Sequence, residues 1–350
     1  MRRVGRAPLL GLTLSLGAVL GLVHPEESQA ARRLVKFATL APEGSTWMKV
    51  MREFAATVKK KTGGQVRFRM YPGGVQGDEK DVLRKIRIGQ LHSAGFTGVG
   101  LGEILPEVRV LELPFLFLRE EEVDIVHRRI DSRLAGAFER KGFVLLGWAE
   151  VGLVHLFSKH PIRERRDLQK VKLWSWEGDP LAKAYFEALR LTPVSLSVTD
   201  VLTSLQTGLI DTVYASPLGA IALQWFTRVK YMTRLPVSNA TGAVLVAKRV
   251  FDRLSPAQQA LLRTEGRRHF DRLVRLSREE NRKAIQEIQK EGVELLPMPP
   301  PKDLKEFLDV GRSTWNALSG KLFPADLLAE VLDALAEYRK AHPLPGQGSD

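Results

Sequence analysis

The stretch from Val171 to Pro217, VKLWSWEGDPLAKAYFEALRLTPVSLSVTDVLTSLQTGLIDTVYASP, leaves few folds open. Val171–Ser175 is a short apolar run of the kind that forms a buried strand. Asp179-Pro180 then opens a helix, because the Asp side chain accepts orphan amide bonds and Pro at the first helical position sacrifices none. Leu181–Leu189 carries apolar residues at helical spacing, and Pro193–Leu196 returns as a strand. Thr199 or Asp200 caps a second helix that Gly208 closes, and Ile210–Ala215 is the third strand. The order strand, helix, strand, helix, strand implies a parallel α/β unit.

That unit occurs twice. Asp81-Val82-Leu83, five residues, then Gly89-Gln90-Leu91 matches Asp200-Val201-Leu202, five residues, then Gly208-Leu209-Ile210, at an offset of 119 residues. Upstream of the first copy lie strand Leu34–Thr39, helix Thr46–Lys61 with Thr46 as its cap, and strand Gln65–Tyr71. Two such units in 350 residues are expected to build two lobes with a cleft between them.

The first 30 residues have another character. Arg2, Arg3 and Arg6 are followed by an uncharged run from Ala7 to Val23, and Ser28-Gln29-Ala30 offers a small-x-small cleavage site. These are the three parts of a secretory signal peptide; an uncleaved anchor is the alternative. The chain has no cysteine, which excludes disulfides, thiol catalysis and the lipid-anchor cysteine of an exported precursor. A freely soluble exported protein, cleaved near Ala30, is expected.

The formal charge is +13, of which the signal segment contributes only +1. A basic balance favours anionic partners, but these charges are interleaved with acids, as in Ser277-Arg278-Glu279-Glu280-Asn281-Arg282-Lys283. Solvated helix faces explain them, and no nucleic-acid partner is expected.

Gly95 to Gly102 (GFTGVGLG) lacks the spacing of a dinucleotide loop and runs quickly to Pro106, so it is expected to be a tight turn lining the cleft. Val108 to Leu118 is expected to be a buried connection between lobes, and Glu120–Arg140 an amphipathic helix. Crossovers between lobes are expected at Glu150-Val151-Gly152 and at the strand Thr241–Ala247. Ser255-Pro256-Ala257-Gln258 is a capping box opening a helix of unusual length, closed by Gly292. The seven histidines form no metal-ligand pair and no nucleophile elbow is present, so no cofactor and no enzyme activity are expected. In open α/β lobes, ligands bind beyond the carboxyl ends of the strands, which here gathers Trp47, Thr97, Val99, Trp174, Trp176, Glu177, Tyr214, Ser216 and Pro217.

Four stretches carry a family resemblance: KFATLAPEGSTWMKVMREFAATVKKKTGGQVRFRMYPGG, VRVLELPFLF, DLQKVKLWSWEGDP and PVSLSVTDVLTSLQTGLIDTVYASPLGA. The chain resembles the DctP-type solute-binding proteins of TRAP transporters from Leu34 to Leu296. The resemblance implies a two-lobed α/β periplasmic binding protein fold, type II-like, with a hinge and a long helix crossing both lobes. It also implies capture of a small solute in the cleft and delivery to a two-part membrane permease driven by an ion gradient, with membrane contact only through that permease. The expected lobes are 33–151 plus 238–282 and 152–237 plus 283–338, with a disordered tail at 339–350.

The sequence departs from the family at the ligand. Trp174 stands where acid-binding members carry an arginine, Val154 where they carry a second, and Ser216 replaces the family asparagine. A buried carboxylate without a partner is costly, so an apolar or amphipathic solute against aromatic walls is expected. The alternative within the family is an organic acid held by Lys172, or by another basic residue such as Arg69 or Arg228. The alternative outside it is an exported interaction module or enzyme that reuses the two-lobed frame.

Overall fold

The computed structural model describes residues 33–342; the expected signal segment, 1–30, and the last eight residues lie outside the described residues. The first repeat unit forms β1 (Arg33–Thr39), α1 (Thr46–Lys61), β2 (Val66–Tyr71), α2 (Glu79–Arg87) and β3 (Ser93–Thr97), with β1 parallel to both β2 and β3. Ser45, not Thr46, caps α1, its hydroxyl accepting from Met48 N. Next come α3 (Gly98–Ile104), a 3-10 turn over Pro106–Glu112, α4 (Glu120–Arg140) and β4 (Phe143–Trp148). The glycine-rich segment is therefore the short helix α3 rather than a turn, with Thr97 as its cap.

The chain then passes to the second lobe. It holds β5 (Gly152–Ser158), β6 (Trp174–Trp176), α5 (Pro180–Ala188), β7 (Val194–Leu196), α6 (Val201–Thr207) and β8 (Thr212–Ala215), with β6 and β7 in a two-stranded sheet of their own. Asp179 caps α5 as its position before Pro180 predicts, accepting from Leu181 N and Ala182 N. Gly208 closes α6 at φ 75°, a left-handed conformation that side chains resist. β6 pairs in parallel with β7, and a single parallel bridge, Leu173 to Thr212, ties its other edge to β8. The second unit thus repeats the strand order of the first.

After α7 (Pro217–Ala222) and β9 (Tyr231–Met232), β10 (Ser238–Ala240) pairs with β5 and β11 (Gly242–Ala247) pairs with β3 and β4. The chain returns to the first sheet between them, so residues 238–240 belong with the second sheet rather than with the first lobe. Then follow α8 (Lys248–Phe251), α9 (Pro256–Lys290), β12 (Glu294–Leu295), α10 (Pro301–Leu318) and α11 (Ala325–Ala341). The sheet orders are β2-β1-β3-β11-β4 and β10-β5-β9-β12, with β8 also on β5.

The capping box at Ser255 and Gln258 is formed, and the 35 residues of α9 run about 50 Å at 1.5 Å per residue. Along this length Phe270 and Leu273 enter the core of the first sheet, and Ile288 enters the core of the second. One helix therefore backs both lobes. The last helix corrects the expected partition: α11 sends Leu327, Val331 and Leu335 into the core shared by α4, Phe96 and Phe117, which is the first lobe. It also runs to Ala341, past the expected start of the tail at 339, because Arg339 forms a paired bridge to the fully buried Glu122.

Candidate functional site

Between the lobes lies a cavity of roughly 580 Å³, lined by strand ends of both sheets, the start of α1, the 3-10 turn, α5, α7 and one face of α9. Its wall in the second lobe is aromatic. Trp174 stacks on Tyr214 with ring centres 4.7 Å apart at 25°, and meets Trp225 edge-on at 5.3 Å. The Trp174 indole N–H is spent on Leu196 O (3.0 Å), while the Tyr214 hydroxyl accepts from Trp176 N (3.0 Å) and keeps its own proton to donate, so the wall offers ring faces with one hydroxyl donor among them. Such faces favour apolar contact, since Trp and Tyr bury a large area once their polar handles are satisfied. Trp47, Thr97 and Val99 line the cavity from the first lobe, and Val154 and Ser216 from the second. The Ser216 hydroxyl caps α7 by accepting from Gly219 N (3.1 Å).

Three expected residues do not reach the cavity. Lys172 precedes β6 and its ammonium donates to Gly208 O at 3.2 Å on the exposed side of the lobe. Glu177 is exposed beyond β6, and Pro217 is buried behind Ser216 in the first turn of α7. Arg69 and Arg228 are exposed and lie outside the lining as well.

The basic residues that do line it are Lys49, exposed at the rim, and Arg109, buried on the 3-10 turn. Arg109 is already paired. Its Nη2 donates to Asp179 across the cleft at 2.9 Å, and its Nε lies 3.0 Å from the Glu112 carboxylate. Burial works against the Arg109 charge, but Asp179 and Glu112 together hold the guanidinium above its ordinary value. One guanidinium cannot serve two buried carboxylates equally. Burial pushes Glu112 up to about 7 against the pull of Arg109 and of the amide of Thr241. Glu79 is likewise pushed up to about 7 by burial, although Thr97 N, Thr97 Oγ1 and Gly100 N all donate to it.

The sequence carried a signal for these buried charges. A Cβ on Gly98 would sit 2.1 Å from the Glu112 carboxylate, one on Gly100 2.7 Å from Glu79, and one on Gly102 2.9 Å from Arg109. The glycines of α3 clear the space in which three ionisable side chains pack. The spacing that fails as a phosphate loop serves this purpose instead.

Glu79 and Glu112 make stability depend on pH in a definite sense. A carboxyl with a raised folded value binds more protons folded than unfolded, so its contribution is lost as pH rises from about 4.5 to about 7. His127 and His155, pushed down to about 4 by burial, pull the other way between about 4 and 6.5. The wild-type profile mixes both, so the variant isolates the carboxyl. Glu79→Gln is expected to show a thermal midpoint that falls less, or rises more, than wild type between pH 4.5 and 7. Parallel profiles for the two proteins would show that Glu79 does not titrate there.

The lobes also meet at Asp78, the cap of α2. Its Oδ1 accepts from Glu79 N, while Oδ2 accepts from Trp176 Nε1 (3.0 Å), Ser197 Oγ (2.7 Å) and Val198 N (3.2 Å) of the second lobe. Among the described residues no group of three or more His, Asp or Glu is placed to hold a metal ion, and no helix is long and apolar enough to cross a membrane.

Residues 37–321 match the family model for DctP, bacterial extracellular solute-binding protein, family 7. A solute-binding protein of Verminephrobacter eiseniae is 29% identical over 210 residues, 59% of this chain and 62% of that protein. The 2,3-diketo-L-gulonate-binding periplasmic protein YiaO of Escherichia coli is 22% identical over 89% of this chain and 95% of its own length. Among solved structures, a TRAP periplasmic solute-binding protein of Ochrobactrum anthropi superimposes with a TM-score of 0.78 at 25% identity, covering 90% of this chain and 98% of that one. A TRAP periplasmic solute-binding protein of Pseudomonas putida with bound D-glucuronate gives a TM-score of 0.79 at 23% identity, covering 85% and 96%. These neighbours are solute-binding proteins. With two lobes, a shared long helix and a solute-sized cavity between strand ends, the chain belongs to the DctP family of bacterial extracellular solute-binding proteins of TRAP transporters.

Proposed function

We propose that the protein is exported with removal of its first 30 residues, captures an apolar or amphipathic small molecule in the interlobe cavity, and delivers it to a TRAP permease. The walls of the site are Trp47, Trp174, Trp176 and Tyr214, with Thr97, Val99, Val154 and Ser216 completing it. The observation that carries the reading is the pairing of Arg109: the buried cation of the cavity is held by Asp179 and Glu112, while Trp174 stacked on Tyr214 gives the second-lobe wall its ring face. An incoming carboxylate would have to displace an internal one. Burying a charge without a partner costs several kcal/mol, on the order of 3–5 for a broken pair.

A second reading keeps an acid ligand, because Arg109 does line the cavity and the Pseudomonas putida neighbour holds D-glucuronate. Native mass spectrometry of the mature protein, purified without refolding, separates the two. A retained amphipathic molecule, together with no quenching of tryptophan fluorescence by succinate, is the expected result. Tight binding of succinate with no response to apolar molecules would overturn it.

A further inference from the structure

One face of α9 enters the cavity with Ser277 and Glu280, three residues apart and so on one side of the helix. Ser277 is 1% exposed, and its Oγ has no hydrogen-bond partner. A buried hydroxyl left in that state is costly, and it becomes satisfied when a ligand atom arrives. Glu280 faces the same space. Its two carboxylate oxygens lie 2.5 and 2.6 Å from one hydroxyl, that of Thr46, which has a single proton to give. No cation lies within ion-pair distance of Glu280 among the described residues; Lys49, a turn further along α1 than Thr46, is exposed at the rim.

The charge balance of the walls points the same way. Arg109 is held by Asp179 and Glu112, while Glu280 has no ion-pair partner among the described residues. A carboxylate ligand would meet like charge at this end. An ammonium would find a charged acceptor, a free hydroxyl, and Trp47 beside Thr46 on the same wall. The stacked rings of Trp174 and Tyr214, which line the same cavity, take hydrocarbon.

We infer that Ser277 and Glu280 are the polar end of the ligand site and that the solute is an amphipathic protonated amine. This rests on the reading of the cavity as an aromatic-walled solute site. It is tested with three probes that share one hydrocarbon body: 2-phenylethylamine, 2-phenylethanol and phenylacetate, each titrated calorimetrically into the mature protein at neutral pH. The amine is expected to bind at least about 10-fold more tightly than the alcohol, as a charge-assisted hydrogen bond supplies, and the acid more weakly than both. Glu280→Gln is expected to weaken the amine by about 10- to 100-fold while leaving the alcohol nearly unchanged. Ser277→Ala, which removes no protein hydrogen bond made by that hydroxyl, is the second variant and is expected to weaken the amine several-fold. Equal binding of amine and alcohol, preference for phenylacetate, or indifference of the amine to both variants would overturn the amine assignment while leaving the solute site standing. Binding of none of the three would overturn the aromatic-walled site, and this inference with it.

Discussion

Asp179→Ala is expected to lower the unfolding free energy by about 3–5 kcal/mol, because it strands the buried Arg109 guanidinium with a carboxyl that holds its proton up to about 7. The loss has two parts. Removing the α5 cap, which accepts from Leu181 N and Ala182 N, costs about 1 kcal/mol. The remainder is the broken pair, in which both side chains are nearly inaccessible to water. Asp179→Asn separates them. It keeps a side-chain oxygen for the cap and removes the charge, so it retains the smaller part and loses the larger. Urea unfolding of the three proteins measures both steps. A loss below about 1 kcal/mol for the alanine variant would mean that Glu112 ionises and replaces Asp179 fully. The asparagine variant carries a second expectation: with Asp179 neutral, Arg109 becomes available, and phenylacetate should bind it more tightly than it binds wild type.

Much of this frame was legible in the residues. The offset of 119 placed two parallel units in the chain, and the capping box at Ser255 with Gly292 bounded the long helix to within a residue or two. Helix caps and strand runs are local signals, so they survive without knowledge of the partner surface. The lobe boundaries were less legible: β10 and α11 are assigned by what they pack against, and neither a three-residue strand nor an amphipathic helix names its partner. The cavity was legible in its aromatic wall and hidden in its charges. Lys172 has the right parity with Trp174 but lies before the paired part of β6, where its ammonium turns outward. Arg109 and Glu112 sit in an apolar segment where sequence pattern reads only burial, and the glycines that accommodate them belong to a different element. Ser277 and Glu280 were visible only as part of a charged helix face.

The repeat makes a further prediction, at the point where its two copies touch. Asp78 and Ser197 are separated by 119 residues, the repeat offset itself, and they hydrogen-bond to each other across the cleft at 2.7 Å. Equivalent positions meet because two similar units face each other, and Val198, which follows Ser197, and Trp176, on the neighbouring strand β6, add two more donors to the same carboxylate oxygen. These three bonds exist only while the lobes are together. Bonds to a charged group are worth about 1.5–3 kcal/mol each when buried, and Asp78 is only partly buried, so a total on the order of 3 kcal/mol is the fair expectation. Asp78→Ala is therefore expected to weaken apparent solute affinity by about 100-fold, since a ligand must then supply the closure energy that the carboxylate contributed. The alanine also removes the α2 cap, so Asp78→Ser is the informative partner. Serine can still serve Glu79 N but is too short to reach three donors in the other lobe. It should keep most of the thermal midpoint and lose most of the affinity. Small-angle scattering of the unliganded proteins completes the argument. An increase in radius of gyration for both variants relative to wild type places the loss in the open–closed equilibrium. An unchanged radius together with unchanged affinity would show that the Asp78 bonds do not set the closure equilibrium.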